Sequence, residues 1–243
     1  MRVYKFLSAK DALRDISERR IKISEIGDMN DPFELLTIET STLMDRTAAI
    51  ETFARRFGAL CFSRSWKSPL LWAHYADKHR GICLGLDIAD DYVSEISYVN
   101  KPSQLQQDND LNLEAARRWV FSKIDAWRYE DEIRVYTTLD ERDGPFCFYG
   151  FGDALQLREI IAGCRFPSAE RPTIDAALRG YSVVPTVLKT RLSMNSFDII
   201  RDPDGFLDLT TAPENEHCRD TSTRAVSLDD DSSQASEQTA RGT

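Results

Sequence analysis

SPLLWAHYADKHRGICLGLDI, residues 68–88, holds two elements in one stretch. Ser68 followed by Pro69 is a helix start, because serine caps well and proline fits the first helical position, where its missing N–H is no loss. Leu71, Trp72, Tyr75 and Ala76 share one face of that helix, and the simplest use of such a face is core. The helix is expected to run to Arg80 and to stop at Gly81. The apolar run from Ile82 to Ile88 then reads as a strand buried on both faces.

Before this stretch, Val3–Leu7 reads as a strand, and Ser8 caps a helix to about Arg19 with Asp11 three residues on. Ile21–Ser24 is strand-like, and GDMNDPF at 27–33 is turn chemistry. Ala49, Ile50, Phe53, Ala54 and Phe57 recur at helical spacing, predicting a helix over about Asp45–Phe57 that Gly58 ends, with a strand at Leu60–Ser63.

After it, a polar loop near 100–110 precedes a helix expected over Leu111–Asp125. Strands follow at Glu132–Thr138, Pro145–Phe151 and Glu159–Gly163. A helix over Ser168–Leu178 ends at Gly180, and strands at Tyr181–Leu188 and Ser196–Ile200 close the body. Many short strands with few crossover helices point to an α+β fold, one domain over residues 1–210 with a mostly antiparallel sheet and flanking helices. Residues 211–243 are rich in Ser, Thr, Asp and Glu with almost no large apolar side chains, so they are expected to be a disordered acidic tail.

Of 243 residues, 42% are hydrophobic and 29% charged, which places the body among globular chains. The net charge is −9, and an acidic body lacks the broad basic footprint of a duplex-DNA binder. No run approaches the roughly 18 apolar residues of a membrane span. MRVYKFLSAKD at the start is too briefly apolar for a secretory leader, so a cytoplasmic location is expected. Cys61, Cys83, Cys147, Cys164 and Cys218 are odd in number and widely spaced, which argues against a disulfide framework or a zinc site. No metal is expected.

Three segments could carry chemistry. His74 is a candidate acid, base or hydrogen bonder, although a satisfied structural histidine is the reading the pattern favours; His79 lies five residues on, off the i, i+4 spacing of a helical metal pair. In WRYEDEIRVY, residues 127–136, Glu132 and Arg134 share one side of a strand opposite Ile133 and Val135. They form either a solvated ion pair or a carboxylate site at a cleft, joined by Glu130 if the strand reaches that far. Cys61-Phe62-Ser63-Arg64-Ser65 runs a strand into two serines, but no Gly-x-Ser-x-Gly elbow surrounds them. A P-loop, a Gly-x-Gly-x-x-Gly turn and a kinase signature are also absent from the sequence.

Val-Tyr-Lys-Phe at 3–6, Met-Asn-Asp-Pro-Phe-Glu at 29–34, Cys-Phe-Ser at 61–63, the run 71–87, Trp-Arg-Tyr-Glu-Asp-Glu-Ile-Arg at 127–134 and Glu-Ile-Ile-Ala-Gly at 159–163 resemble the bacterial family called domain of unknown function 2971. That family supplies no activity. The order of motifs is also similar to that of ADP-ribosyltransferases, which split NAD between nicotinamide and ribose. Tyr4-Lys5 stands where those enzymes carry Tyr-Arg or a His-bearing pair, Ser63-Arg64-Ser65 resembles their Ser-x-Ser, and Glu130-Asp131-Glu132 resembles their Glu-x-Glu.

This second resemblance implies a split-sheet core and NAD as co-substrate. It further implies Glu132 as the carboxylate beside the ribose and Glu130 as the group orienting a protein, nucleic-acid or small-molecule acceptor. Lys5, beside Tyr4, would meet a ribose or phosphate, Ser63 and Ser65 the nicotinamide ribose, and Tyr75 a ring, with Arg134 on the same strand face and Asn30 and Asp31 at the rim. A Glu132→Gln variant is expected to fold and lose turnover. A role in phage defence or stress response would suit such an enzyme. The alternative is a non-catalytic ligand- or protein-binding module in which the same residues are fold signatures and Glu130, Glu132 and Arg134 a structural ion-pair cluster. A nuclease-type metal site is a third, weaker fit, since carboxylates that alternate along a strand do not converge on an ion.

Overall fold

The structure, a computed structural model, describes residues 1–25, 29–31, 33, 38–39, 51, 54–101, 103–104, 121–140 and 142–206. In chain order the elements begin β1 (Arg2–Leu7), α1 (Ala9–Glu18), β2 (Arg20–Lys22), β3 (Ser24–Glu25), β4 (Ile38–Glu39) and β5 (Phe57–Ser63). Next come α2 (Pro69–Tyr75), β6 (Ile82–Ile88), β7 (Ser94–Glu95), β8 (Ser97–Val99), β9 (Ser103–Gln104) and β10 (Ser122–Ile124). The last are β11 (Glu132–Thr138), β12 (Arg142–Asp143), β13 (Phe146–Gly150), β14 (Leu155–Ala162), α3 (Arg171–Ala177), β15 (Thr186–Leu192) and β16 (Ile199–Arg201). All belong to a compact unit spanning Met1–Asp208. The tail expected from 211 onward lies outside the described residues.

The main sheet has the order β16-β15-β14-β6-β1-β5-β11-β7, with β3 added on β5. Its pairings are antiparallel except β14 with β15, so the fold is mixed α/β with a large, mostly antiparallel sheet. β6 is covered on both faces over its apolar stretch Ile82–Leu86, while Asp87 pairs with Arg2 and Arg158. Ile82, Leu84, Leu86 and Ile88 pack with Ala12 and Ile16 of α1 and Ile174 of α3. Cys83 packs on the other side with Leu71 and Trp72 of α2, Phe6 and Ile161. Full burial of such aliphatic side chains contributes about 1.5–3 kcal/mol each. Trp72 is fully buried, meets Phe6 edge-on at 5.2 Å, and donates its indole N–H to the Trp66 carbonyl at 2.6 Å. Among the described residues no helix is long and apolar enough to cross a membrane.

One seam matters for the site. β1 pairs with β6 over its whole length, from Arg2↔Asp87 to Leu7↔Ile82, and β5 pairs with β11 from Phe57↔Thr138 to Ser63↔Glu132. Between β1 and β5 the register holds only Tyr4↔Ser63. The sheet therefore opens between these two strands beyond that pair.

Several boundaries differ from expectation, each for a local reason. The helix at 68–80 stops at Tyr75, and Asp77, Lys78 and His79 take left-handed φ of 43, 53 and 71°. The chain must reverse there to lay β6 beside β1: a Cβ on Gly81 would stand 2.1 Å from the Leu7 carbonyl oxygen. Gly58 ends no helix; it lies inside β5, where a Cβ would meet Ile23 Cγ2 at 2.5 Å and the Ser24 carbonyl at 2.9 Å. Residues 45–50 and 52–53 of the helix expected before it lie outside the described residues, as do 111–120 of the helix expected over 111–125. The end of that second segment is instead β10, paired parallel with β8, followed by a 3-10 turn at Asp125–Glu130. The strand expected at 21–24 is interrupted at Ile23 into β2 and β3, that at 159–163 begins at Leu155, and that at 181–188 starts only at Thr186. Tyr181 is used otherwise, its hydroxyl donating to the Ile16 carbonyl at 2.6 Å. The final strand covers Ile199–Arg201 and not 196–200.

Candidate functional site

Period-two alternation on β5 and β11 builds one wall. Leu60, Phe62, Ile133 and Val135 enter the core. Cys61 faces Arg134 and Ser63 faces Glu132 across the ladder, leaving a thiol, a hydroxyl, a guanidinium and a carboxylate on the opposite side. The 3-10 turn ahead of β11 closes through Asp131, whose left-handed φ of 45° accompanies its N–H donating to the Arg128 carbonyl at 3.2 Å. That reversal, and not an extended strand as expected, puts Glu130 on the same side as Glu132. Lys123, from the middle of β10, lies between the two.

The result is a buried charge network. Lys123 Nζ is 2.5 Å from Glu130 Oε2 and 3.0 Å from Glu132 Oε2. Arg134 donates Nε to Glu132 Oε1 at 2.6 Å and Nη2 to Oε2 at 3.1 Å. Tyr75 donates its hydroxyl to Glu130 Oε1 at 2.5 Å and accepts from Asn30 Nδ2 at 2.8 Å, while the Glu132 backbone N–H donates to the Tyr98 hydroxyl at 2.8 Å. Lys123, Glu130 and Glu132 are each 5% exposed and Arg134 is 1% exposed. Burying such charges is costly unless each is paired, and here each is.

Burial alone would raise the Glu132 carboxyl; the Arg134 guanidinium and then the Lys123 ammonium overcome it and bring its pKa down to about 2. For Lys123 burial acts against the charge, and Glu132 and Glu130 reverse that and hold the ammonium protonated. Burial, with Glu130 next, raises the Tyr75 hydroxyl. Burial, reinforced by Glu132, pushes the Cys61 thiol up to about 12.

A cavity of about 240 Å³ opens over this network at the seam between β1 and β5. Its wall includes Tyr4 and Lys5 of β1, Cys61 and Ser63 of β5, Tyr75 of α2, and Asn30. Among the described residues that line it, three cations (Lys5, Lys123 and Arg134) stand with two carboxylates (Glu130 and Glu132), one positive charge in excess. Among the described residues Lys5 has no hydrogen-bond or ion-pair partner, so the excess resides there.

Of the residues singled out in the sequence, Tyr4, Lys5, Asn30, Ser63, Tyr75, Glu130, Glu132 and Arg134 come together on this cavity. His74, Ser65 and Asp31 do not line it. His74 points outward, its ring 6.0 Å from Tyr129. Ser65 Oγ accepts from the Lys67 N–H at 3.2 Å, and its carbonyl takes the Ser63 hydroxyl, also at 3.2 Å. Asp31 is buried and accepts from the Phe33 N–H at 2.9 Å, a turn-forming role. Lys123 was missed, because a lysine in a segment expected to be helical reads as solvated. The signal that was present is the acidic run at 130–132: Glu130 and Glu132 turn inward and need a buried cation, while Asp131 stays exposed beside Arg64.

Among the described residues no group of three or more His, Cys, Asp or Glu side chains is placed to hold a metal ion. Comparison with protein-family models, with curated proteins and with solved structures gives no match.

Proposed function

We propose that the protein is an NAD-splitting enzyme of the ADP-ribosyltransferase kind, with Glu132 as the carboxylate beside the reacting ribose carbon. One observation carries this reading: three segments far apart in the chain, Tyr4-Lys5, Ser63 and Glu130–Glu132, line a single cavity where the sheet opens. The split-sheet architecture of the transferases and membership of the domain of unknown function 2971 family belong to the same proposal. So do a cytoplasmic location, a role in defence or stress response, and a protein, nucleic-acid or small-molecule acceptor.

In the reaction the bond between the ribose carbon and the nicotinamide nitrogen breaks, and its electron pair leaves with nicotinamide. The positive charge that develops on the ribose is met by a fixed anion, the arrangement that oxocarbenium chemistry requires. With its pKa at about 2, Glu132 is ionised at neutral pH without a change of state. Of its roughly four acceptor positions, Arg134 and Lys123 fill three, and the Cys61 thiol, whose ionisation Glu132 disfavours, is nearby. A ribose hydroxyl, a stronger donor than a thiol, fits the remaining position. The acceptor attacks the ribose carbon and gives its proton to Glu130, which Tyr75 and Lys123 hold in position. Lys5 meets a phosphate, Ser63 turns its hydroxyl to the ribose, and Tyr75 presents a ring.

A Glu132→Gln substitution is no longer a silent one for the fold: its amide N–H₂ would face Lys123 or Arg134, both donors. Activity is therefore compared with Lys5→Met and Ser63→Ala, which disrupt no buried ion pair. Nicotinamide release that falls in all three variants supports the enzyme. Release unchanged in a folded Glu132→Gln protein overturns it.

A second reading, a non-catalytic binding module, is favoured by the mutual pairing of Lys123, Glu130, Glu132 and Arg134 within the chain itself. On that reading the substitutions lower the melting temperature and there is no turnover to lose.

A further inference from the structure

Two of the most distinctive side chains in the sequence, His74 and Trp127, take no part in the cavity, and neither belongs to a core cluster. They are the ends of a row of rings. Trp127 lies 5.8 Å from Tyr129 at an interplanar angle of 41°, and Tyr129 lies 6.0 Å from His74 at 30°. His74 in turn lies 6.2 Å from Tyr75, whose ring is part of the cavity wall. The row is attached to the cavity twice, since Glu130, the neighbour of Tyr129, lines it as well. His74 is exposed, and Trp127 and Tyr129 are half-buried. Lys123 Nζ lies 5.2 Å from the Trp127 ring centroid, so the cation that binds both carboxylates also steadies the far end of the row.

The cavity says what the row is for. At about 240 Å³ it is smaller than the roughly 300–1,000 Å³ of sites that enclose a drug-sized ligand, and a dinucleotide carries two nucleosides. One half would sit inside beside Glu132, and the other half would extend outside past Tyr75, the wall residue against which the ring row starts. We infer that His74, Tyr129 and Trp127 form a stacking platform for the purine base of the dinucleotide whose other nucleoside occupies the cavity. Such stacking needs only π-faces and part-exposed rings, both of which are present. The platform role rests on the NAD-splitting reading and extends it by assigning the second half of the substrate.

The test is calorimetric titration of the full chain with NAD and with nicotinamide mononucleotide, which lacks the purine. His74→Ala, at an exposed position, and Trp127→Ala are compared with wild type, and Trp127→Phe serves as the variant that keeps a ring. The expected result is NAD binding weakened about tenfold by each alanine substitution, largely restored by Trp127→Phe, with mononucleotide binding unchanged throughout. NAD binding unaltered by both alanine variants, or weakened equally for the mononucleotide, overturns the platform while leaving the NAD reading standing. Failure of wild type to bind either compound overturns both.

Discussion

Replacing Lys123 by methionine keeps the length of the stem and removes the ammonium. Glu130 and Glu132 then face each other with no cation between them; among the described residues Glu132 retains Arg134, and Glu130 retains the Tyr75 hydroxyl alone. Removing one partner of a buried ion pair costs about 3–5 kcal/mol, chiefly the penalty of leaving the other charge buried alone. For a chain of this size roughly 2–4 °C of melting temperature accompany each kcal/mol, so Lys123→Met should melt roughly 6–20 °C below wild type. Thermal unfolding followed by circular dichroism at pH 7 measures the shift. Adding Glu130→Gln removes the uncompensated charge, so the double variant should be more stable than the sum of the single effects by at least about 1 kcal/mol. A melting temperature for Lys123→Met within about 2 °C of wild type, or strictly additive variants, would refute the picture of a dry, coupled network.

Glu132 also predicts an acid limb. Its carboxyl lies near 4.5 when unfolded and at about 2 when folded, so the unfolded state takes up the proton first. The stability it contributes is fully present above pH 4.5, is lost as pH falls through about 2, and amounts to about 3 kcal/mol. Urea unfolding of wild type and Glu132→Gln across that range should show the two curves converging as pH drops. Gly163→Ala would put a Cβ 2.2 Å from the His79 carbonyl oxygen and 2.8 Å from its carbon, backbone atoms that cannot yield; a loss on the order of 3 kcal/mol is expected in urea unfolding. Gly150→Ala, with nothing within 4 Å, should change stability by less than about 0.5 kcal/mol. With its thiol pushed up to about 12, Cys61 should resist maleimide at pH 7 in the folded protein and react on unfolding, as mass spectrometry of the labelled peptide would show.

The central elements were legible because their signals are local. The Ser68-Pro69 start, the Ser8 cap, which does accept the Asp11 N–H at 3.1 Å, and the apolar stretch Ile82–Leu86 of β6 each depend on neighbours in sequence. So did the shared face of Glu132 and Arg134, which alternation alone requires. What could not be read is where tertiary contact overrides local preference. Gly58 looks like a helix stop and is a place where two strands approach closely. Asp77–His79 looks like a third helical turn and is a left-handed reversal. Lys123 becomes a site residue only because a 3-10 turn folds Glu130 back onto it, and no spacing rule links residues whose proximity a turn creates. His74 was singled out as a candidate acid, base or hydrogen bonder and lies outside the cavity; its ring contact with Tyr129, and through Tyr129 the approach of Trp127, were visible only in the fold.

Nicotinamide release from NAD by purified wild-type protein, set beside Glu132→Gln at a temperature where both are folded, tests the central claim most directly. Release by wild type, reduced roughly 100-fold or more in the variant, is the result expected if Glu132 stabilises the reacting ribose. No release and no saturable NAD binding by wild type, or equal release by the folded variant, would contradict it.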